Sequence, residues 1–274
     1  MNLPLPSTTL SFDFSSLPLP LLLVQTLTSL FASTFGFGDA VLAMPLLLLL
    51  LNISGLEAVR LVSGVSVLVY GWSVLIDTVE NFNKNDTDDT TDLGNELKES
   101  SVLLLSAIVG VPIGGYLLSE LSPLIIRLTL GVTLISYGVF NLVKSSSDSK
   151  ESDEDIPFLQ TIGFGFIAGI LGGTVSEPGP PVVVYSSSRN FNSPKTRRML
   201  ARFILPVQMF TVYKSGFDNS LLEYFEVMIP VVGVCSVIGK GLGGLFDPEE
   251  FKKLLYGIIV GLGGICVYNG LNSV

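Results

Sequence analysis

The amino-acid sequence predicts an all-α polytopic membrane protein built from two homologous halves of about five helical elements each. Three observations carry this. Of 274 residues, 48% are hydrophobic and only 14% charged, against roughly 25% charged in a soluble domain; the mean hydropathy is +0.61. Apolar segments recur at 17–37, 56–76, 102–121, 124–143, 158–175, 198–213, 222–246 and 251–271; a helix of about 20 such residues crosses roughly 30 Å of hydrocarbon. They are apolar on nearly every face, whereas a soluble helix carries one apolar stripe. Finally, glycine and proline patterns of the first half return in the second. V-G-V-P-I-G-G-Y (109–116) matches I-G-K-G-L-G-G-L (238–245), S-P-L-I-I-R-L (122–128) matches D-P-E-E-F-K-K-L (247–254), and F-G-F-G-D-A-V-L-A-M-P-L-L (35–47) faces G-G-T-V-S-E-P-G-P-P-V-V-V (172–184).

The elements follow in order. The first helix, 18–36, has no basic n-region and no small-residue cleavage pattern, so it is expected to stay as membrane sequence rather than act as a cleaved signal. Gly36-Phe37-Gly38 ends it and Asp39 can cap the next element, 39–51. The third and fourth, 56–77 and 101–120, flank residues 77–99, where eight acids and two lysines stand among threonines and asparagines; this is expected to be a solvated loop. In 101–120, Gly114 and Gly115 permit close helix packing and Pro112 is expected to kink the helix. The fifth element, 123–143, starts at Pro123. Residues 144–157 form an acidic linker, with five acids in 144–155. The second half repeats the plan as 158–176, 178–188, 196–214 (with Pro206), 221–246 (with Gly243 and Gly244) and 250–271. Pro178, Pro180 and Pro181 cannot continue a helix but suit the first turn of a new one. The domains are thus a first repeat at 1–143, the linker at 144–157 and a second repeat at 158–274, with eight to ten crossings in all.

Charge sets the expected topology. R-N-F-N-S-P-K-T-R-R-M-L-A-R (189–202) holds five bases and no acid, which marks a cytoplasmic loop. If the first two elements of each half make a hairpin, the halves are inverted. Eleven basic residues then share one side with both acidic stretches, against Arg60, Arg127 and Lys214 on the other. If those elements make one broken crossing, the halves are parallel and the bias is nine to five. The steeper bias favours the inverted repeat, with both termini outside the cytoplasm.

Composition also excludes functions. There is no histidine, which makes a zinc site or a Ser-His-Asp triad improbable, and no metal or cofactor site is expected. Cys235 and Cys266 lie in predicted helices and read as buried inert thiols. No G-x-x-x-x-G-K-[ST] loop is present, so an ion gradient must drive any uphill movement.

The breaks carry the candidate chemistry. Interrupted backbone at membrane depth is tolerated only where protein buries it or where it lines a wet cavity. Broken helices at matching places in two repeats point to a transporter's binding site. The candidate substrate-binding residues are therefore Gly36 and Gly38 in the first half and Gly172, Gly173, Pro178, Gly179 and Pro180 in the second; the free N–H groups at the N-termini of the helices that start at these breaks suit an anion. Lys240, set between glycines inside an apolar run, adds positive charge and can face the bundle interior, pairing with Asp39 or Glu177. Gln208, on the helix of Arg202, can contact substrate or bond to a neighbouring helix. Asp39 and Glu177, at corresponding breaks, are candidate proton carriers, because a carboxylate at membrane depth is costly while charged; Asp39 could instead serve only as a helix cap.

The pair G-F-G-D-A-x-L-A-M-P-L-L (36–47) and G-x-x-A-G-x-L-G-G-T-V-S-E-P-G-P-P-V-V-V-Y (165–185) resembles the TauE/SafE sulfite exporters, also called 4-toluene sulfonate uptake permeases. The resemblance covers essentially the whole chain. It implies a multi-pass protein of the cytoplasmic membrane that moves sulfite, organosulfonates or related sulfur-containing oxyanions, with small carboxylates as a neighbouring class. The partners expected are a small anionic substrate and the lipid bilayer, with a homo-oligomer open and no nucleic acid. One alternative is of another class. G-F-G-D at 36–39 fits the G-x-G-D signature of intramembrane aspartyl proteases, whose chemistry needs a second membrane aspartate sharing a proton. The candidates, Asp13 and Asp77, lack the context of that partner, and a protease leaves the repeat unexplained.

Overall fold

The computed structural model describes residues 19–36, 38–51, 53–84, 90–144, 157–189, 193–216, 219–242 and 248–272, with the side chains of 80–99 and 248–255 left aside. These residues form ten helices: α1 (Leu19–Phe35), α2 (Asp39–Leu50), α3 (Gly55–Lys84), α4 (Thr90–Glu120), α5 (Pro123–Lys144), α6 (Phe158–Val175), α7 (Gly179–Ser188), α8 (Ser193–Ser215), α9 (Asn219–Leu242) and α10 (Pro248–Asn272). Five of them, within α3, α4, α5, α6 and α9, are long and apolar enough to cross a membrane. Among the described residues there is no strand. The all-α, multi-pass class expected from the sequence is the class observed.

One expectation needs correction. The acidic stretch 77–99 is not a loop throughout: α3 runs on to Lys84 and α4 starts at Thr90. Extending a helix past the membrane surface adds one hydrogen bond per residue, whereas ending it forfeits that bond, and polar residues do not oppose propagation in water. The linker at 144–157 lies outside the described residues except at its two ends, as do Gly243 and Gly244.

Helix pairing shows how the two halves meet. α4 packs along α6 and α1 along α9, so the partners exchange when α1–α5 are swapped for α6–α10; α3 lies on α8, and α5 on α10. Glycine sets the α4–α6 contact. A Cβ at Gly165, Gly169 or Gly173 would meet backbone atoms of Leu103, Ala107 and Val111 respectively. Both helices advance by four residues at each step, so they run in the same direction. Where lipid supplies no hydrophobic drive between helices, this close approach supplies the packing energy. Gly169→Ala should therefore destabilise the protein by about 1–3 kcal/mol, seen as a lowered thermal midpoint in detergent. Gly163→Ala on the same helix, where a Cβ meets nothing within 4 Å, should be silent.

α3 and α8, the third helix of each set of five, run in opposite directions. Arg60 Nε donates to Ser215 O at 2.7 Å, and Gly71 faces Leu205. In α5 and α10, likewise, Gly131 meets Gly263 and Val267, whereas Gly138 meets Tyr256 and Val260. The chain also reverses at each break. Phe164 of α6 and Tyr185 of α7 pack ring to ring at 5.8 Å, and Gly172 faces Pro178; α6 and α7 are a hairpin. α2, only 12 residues long and thus about 18 Å, covers roughly half a bilayer. It leaves from Asp39 beside Tyr70 in the middle of α3 and ends just before α3 begins.

Candidate functional site

The two hairpin tips carry the same local device. Gly38 (φ 101°) stands before Asp39, and Ser176 (φ 59°) stands before Glu177. Of these left-handed residues, Ser176 is the one that stops α6, and at the first tip Gly36 (φ 85°) stops α1 while Gly38 stands at the cap position where α2 starts. Gly38 adopts this conformation without steric penalty. Ser176 pays for it, and it is held there by hydrogen bonds. Its Oγ is 2.8 Å from Ser63 Oγ, and Gln208 Nε2 donates to its carbonyl at 2.9 Å.

The tips meet at a central cavity of about 20 Å³, walled by Gly38, Asp39, Tyr70, Tyr137, Glu177, Pro178, Gly179, Pro180 and Gln208 among others. Among the described residues no lysine or arginine lines it. The carboxylates are 4% and 1% exposed for Asp39 and Glu177, and they differ in support. Asp39 accepts from Ser66 Oγ and, at 2.9 Å, from Tyr70 OH. Both oxygens of Glu177 lack a hydrogen-bond partner. A charged carboxylate there has nothing to offset its desolvation, which costs several kcal/mol; a proton removes that cost.

A second cavity, of about 40 Å³, lies toward the end of the bundle formed by the late turns of α3 and α9 and the start of α8. It is lined by Ser33, Gly36, Tyr70, Ser73, Asp77, Arg197, Ser236 and Lys240, among others. Lys240 Nζ stands 4.0 Å from Asp77 Oδ1, with side chains 42% and 38% exposed. Tyr70 is a wall of both cavities.

The sequence-derived residues therefore divide. Gly38, Asp39, Glu177, Pro178, Gly179, Pro180 and Gln208 surround the central cavity, though the Gln208 amide is engaged by Ser176. Gly36 and Lys240 line the outer cavity. Lys240 is in the last turn of α9, beside Asp77 and not beside Asp39 or Glu177. Gly172 and Gly173 line neither; a Cβ on Gly172 would press on Pro178 and Val207, and one on Gly173 would strike α4. Gly38 holds the cap position of α2, and the Asp39 carboxyl, in the first turn, is bonded by Ser66 and Tyr70. Sequence reasoning missed Ser63, Ser66, Tyr70, Ser176, Asp77 and Arg197. The first three fall at i, i+3 and i+7 in an apolar span, which places them on one helix face; that periodicity was the available signal. Among the described residues no cluster of acids and cysteines could hold a metal ion.

Broken helices whose interruptions meet at one cavity are the arrangement in which membrane transporters place their binding sites. The profile of the sulfite exporter TauE/SafE family matches residues 21–265; the chain belongs to that family. A relative from Cupriavidus necator, described as a probable sulfite/organosulfonate exporter TauE, is 23% identical over 166 residues, which are 59% of this chain and 62% of that protein. The match thus spans less than two thirds of that relative's length. No solved structure matches. Membership of a family of membrane transporters removes the intramembrane protease as an alternative.

Proposed function

We propose that this protein is a secondary transporter of a small oxyanion, sulfite or a short organosulfonate, coupled to protons through Asp39 and Glu177. The observation that carries the reading is the meeting of two hairpin tips at one cavity that buries two carboxylates and no base. Two charges of one sign in so small a space repel each other and any incoming anion, so protonation has to accompany passage of the substrate. The named relative supports the substrate class.

We also infer that the halves are inverted copies. A two-fold axis in the membrane plane makes equivalent helices antiparallel, whereas an axis along the normal makes them parallel; the antiparallel contacts of α3 with α8 and α5 with α10 support the first. Alternating access would then exchange the conformations of the two halves about the central cavity.

The deciding experiment is uptake of labelled sulfite, sulfate, taurine and pyruvate into proteoliposomes, with and without an imposed pH gradient. Sulfite or taurine should accumulate only with the gradient. Accumulation of pyruvate alone moves the substrate to small carboxylates, and movement of none of the four removes the reading.

A further inference from the structure

We propose that Arg197 and Lys240, with Asp77 as their resting counter-ion, form a binding site for a sulfite-sized oxyanion in the outer cavity, apart from the carboxylate cavity at the hairpin tips. This rests on the reading of the protein as an anion transporter and locates where the anion waits.

Charge and volume separate the two cavities. Among its described lining residues the central one presents Asp39 and Glu177 and no cation. At about 20 Å³ it has room for one or two waters, each needing about 10–15 Å³ of such space. An anion placed there meets two carboxylates and too little volume. Among its described lining residues the outer cavity presents Arg197 and Lys240 against the one acid Asp77, with the hydroxyls of Ser73 and Ser236 beside them, while those of Ser33 and Tyr70 donate to Ser29 O and Asp39. Its volume of about 40 Å³ equals about three waters by the same measure, the scale of an SO3 group and too little for an aromatic sulfonate. An arginine fork and a lysine point charge are the side chains that bind compact oxyanions, and hydroxyls complete the donor set.

Two further observations bear on how the site works. The Asp77 carboxylate lies 4.0 Å from Lys240 Nζ and acts electrostatically on Arg197, so it occupies the charges that a substrate would claim. The Arg197 side chain also lies directly on the backbone of the first hairpin tip: a Cβ at Gly36 would collide with its Nε, Cγ and Cδ. Binding at Arg197 is thereby in mechanical contact with the hinge before Asp39. Tyr70, which donates to Asp39, closes the wall between the two cavities.

The test is equilibrium binding of sulfite and methanesulfonate to the purified full-length protein by anaerobic titration calorimetry at low salt. Arg197→Gln and Lys240→Gln should each weaken binding by about tenfold or more, the loss of one charge-assisted contact. Asp77→Asn should tighten it several-fold, because it removes the competing anion; a role confined to packing would not produce that sign. Should Arg197→Gln fail to fold, the other two variants decide the matter. A wild type that binds no oxyanion overturns the transporter reading itself. A wild type that binds, with all three variants within twofold of it, overturns this site alone.

Discussion

Glu177→Gln is expected to collapse proton-driven accumulation of the anion while sparing exchange between equal concentrations on the two sides. Accumulation needs a group that takes a proton on one side and yields it on the other; exchange needs only that the pathway open. Glu177 is the group placed to do so. It is buried at a hairpin tip, and among the described residues neither oxygen has a hydrogen-bond partner and no basic residue lines its cavity. The groups facing it are Asp39 of α2, Tyr70 of α3 and Tyr137 of α5, with Cys266 of α10 within electrostatic reach. Glutamine keeps the shape and the neutral state but cannot exchange a proton. With the membrane potential clamped at zero, one coupled proton under one unit of pH difference supports about a tenfold anion ratio, since 1.36 kcal/mol is a factor of ten; in Glu177→Gln the ratio should fall to about one. Asp39→Asn should also lose coupling, because an amide does not take up and release a proton and sets an NH2 group where one carboxylate oxygen accepts from Ser66 or Tyr70. A residue serving only as a cap would tolerate asparagine, so a silent Asp39→Asn assigns Asp39 to structure. Full gradient-driven accumulation in both single variants and in the double variant ends the coupling hypothesis.

What the sequence could disclose depended on which physical signal each feature leaves. The ten elements are legible because apolar runs are punctuated by Gly36, Gly38, Pro123, Pro178 and Pro180, and these residues act on the backbone directly. Helix ends beyond the membrane are less so. Hydropathy marks where lipid begins, and α3 continues into water as far as Lys84. Asp39 and Glu177 stood out because an ionisable group at membrane depth is anomalous, whereas their surroundings did not. Serine and tyrosine in a span are unremarkable singly, so Ser63, Ser66 and Tyr70 became visible only as neighbours of the tips. Lys240 misleads for a different reason. Its flanking apolar run suggests a partner among the carboxylates at the breaks, yet the lysine reaches Asp77 at the outer cavity. Arg197, hidden in a basic loop that topology alone explains, carried no separate signal.

Residue 147, introduced as a single cysteine in a Cys-free background, should be shielded from a membrane-impermeant maleimide in intact cells, while cysteines at Ser7 and Ser273 should react. The expectation begins with helix ends. Gly55 at the start of α3 meets Leu118 at the end of α4 and Ile126 at the start of α5, and Gly270 at the end of α10 meets Arg127; Arg60 bonds to the end of α8. These turns share one end of the bundle, and its basic residues are Arg60, Arg127 and Lys214. The late turns of α3 and α9 and the start of α8 meet at the other end, around Asp77, Arg197 and Lys240. Eleven basic residues outside the spans follow that end, the arrangement that goes with hairpins and inverted halves. Basic residues near span ends are retained in the cytoplasm, whereas acidic ones contribute little to orientation, so the acids between α5 and α6 do not pull that connection outward. Replacing Cys235 and Cys266, both buried and free, removes the background. Labelling at 147 in intact cells rejects the inverted arrangement, and protection at both 7 and 273 rejects the outward placement of the termini.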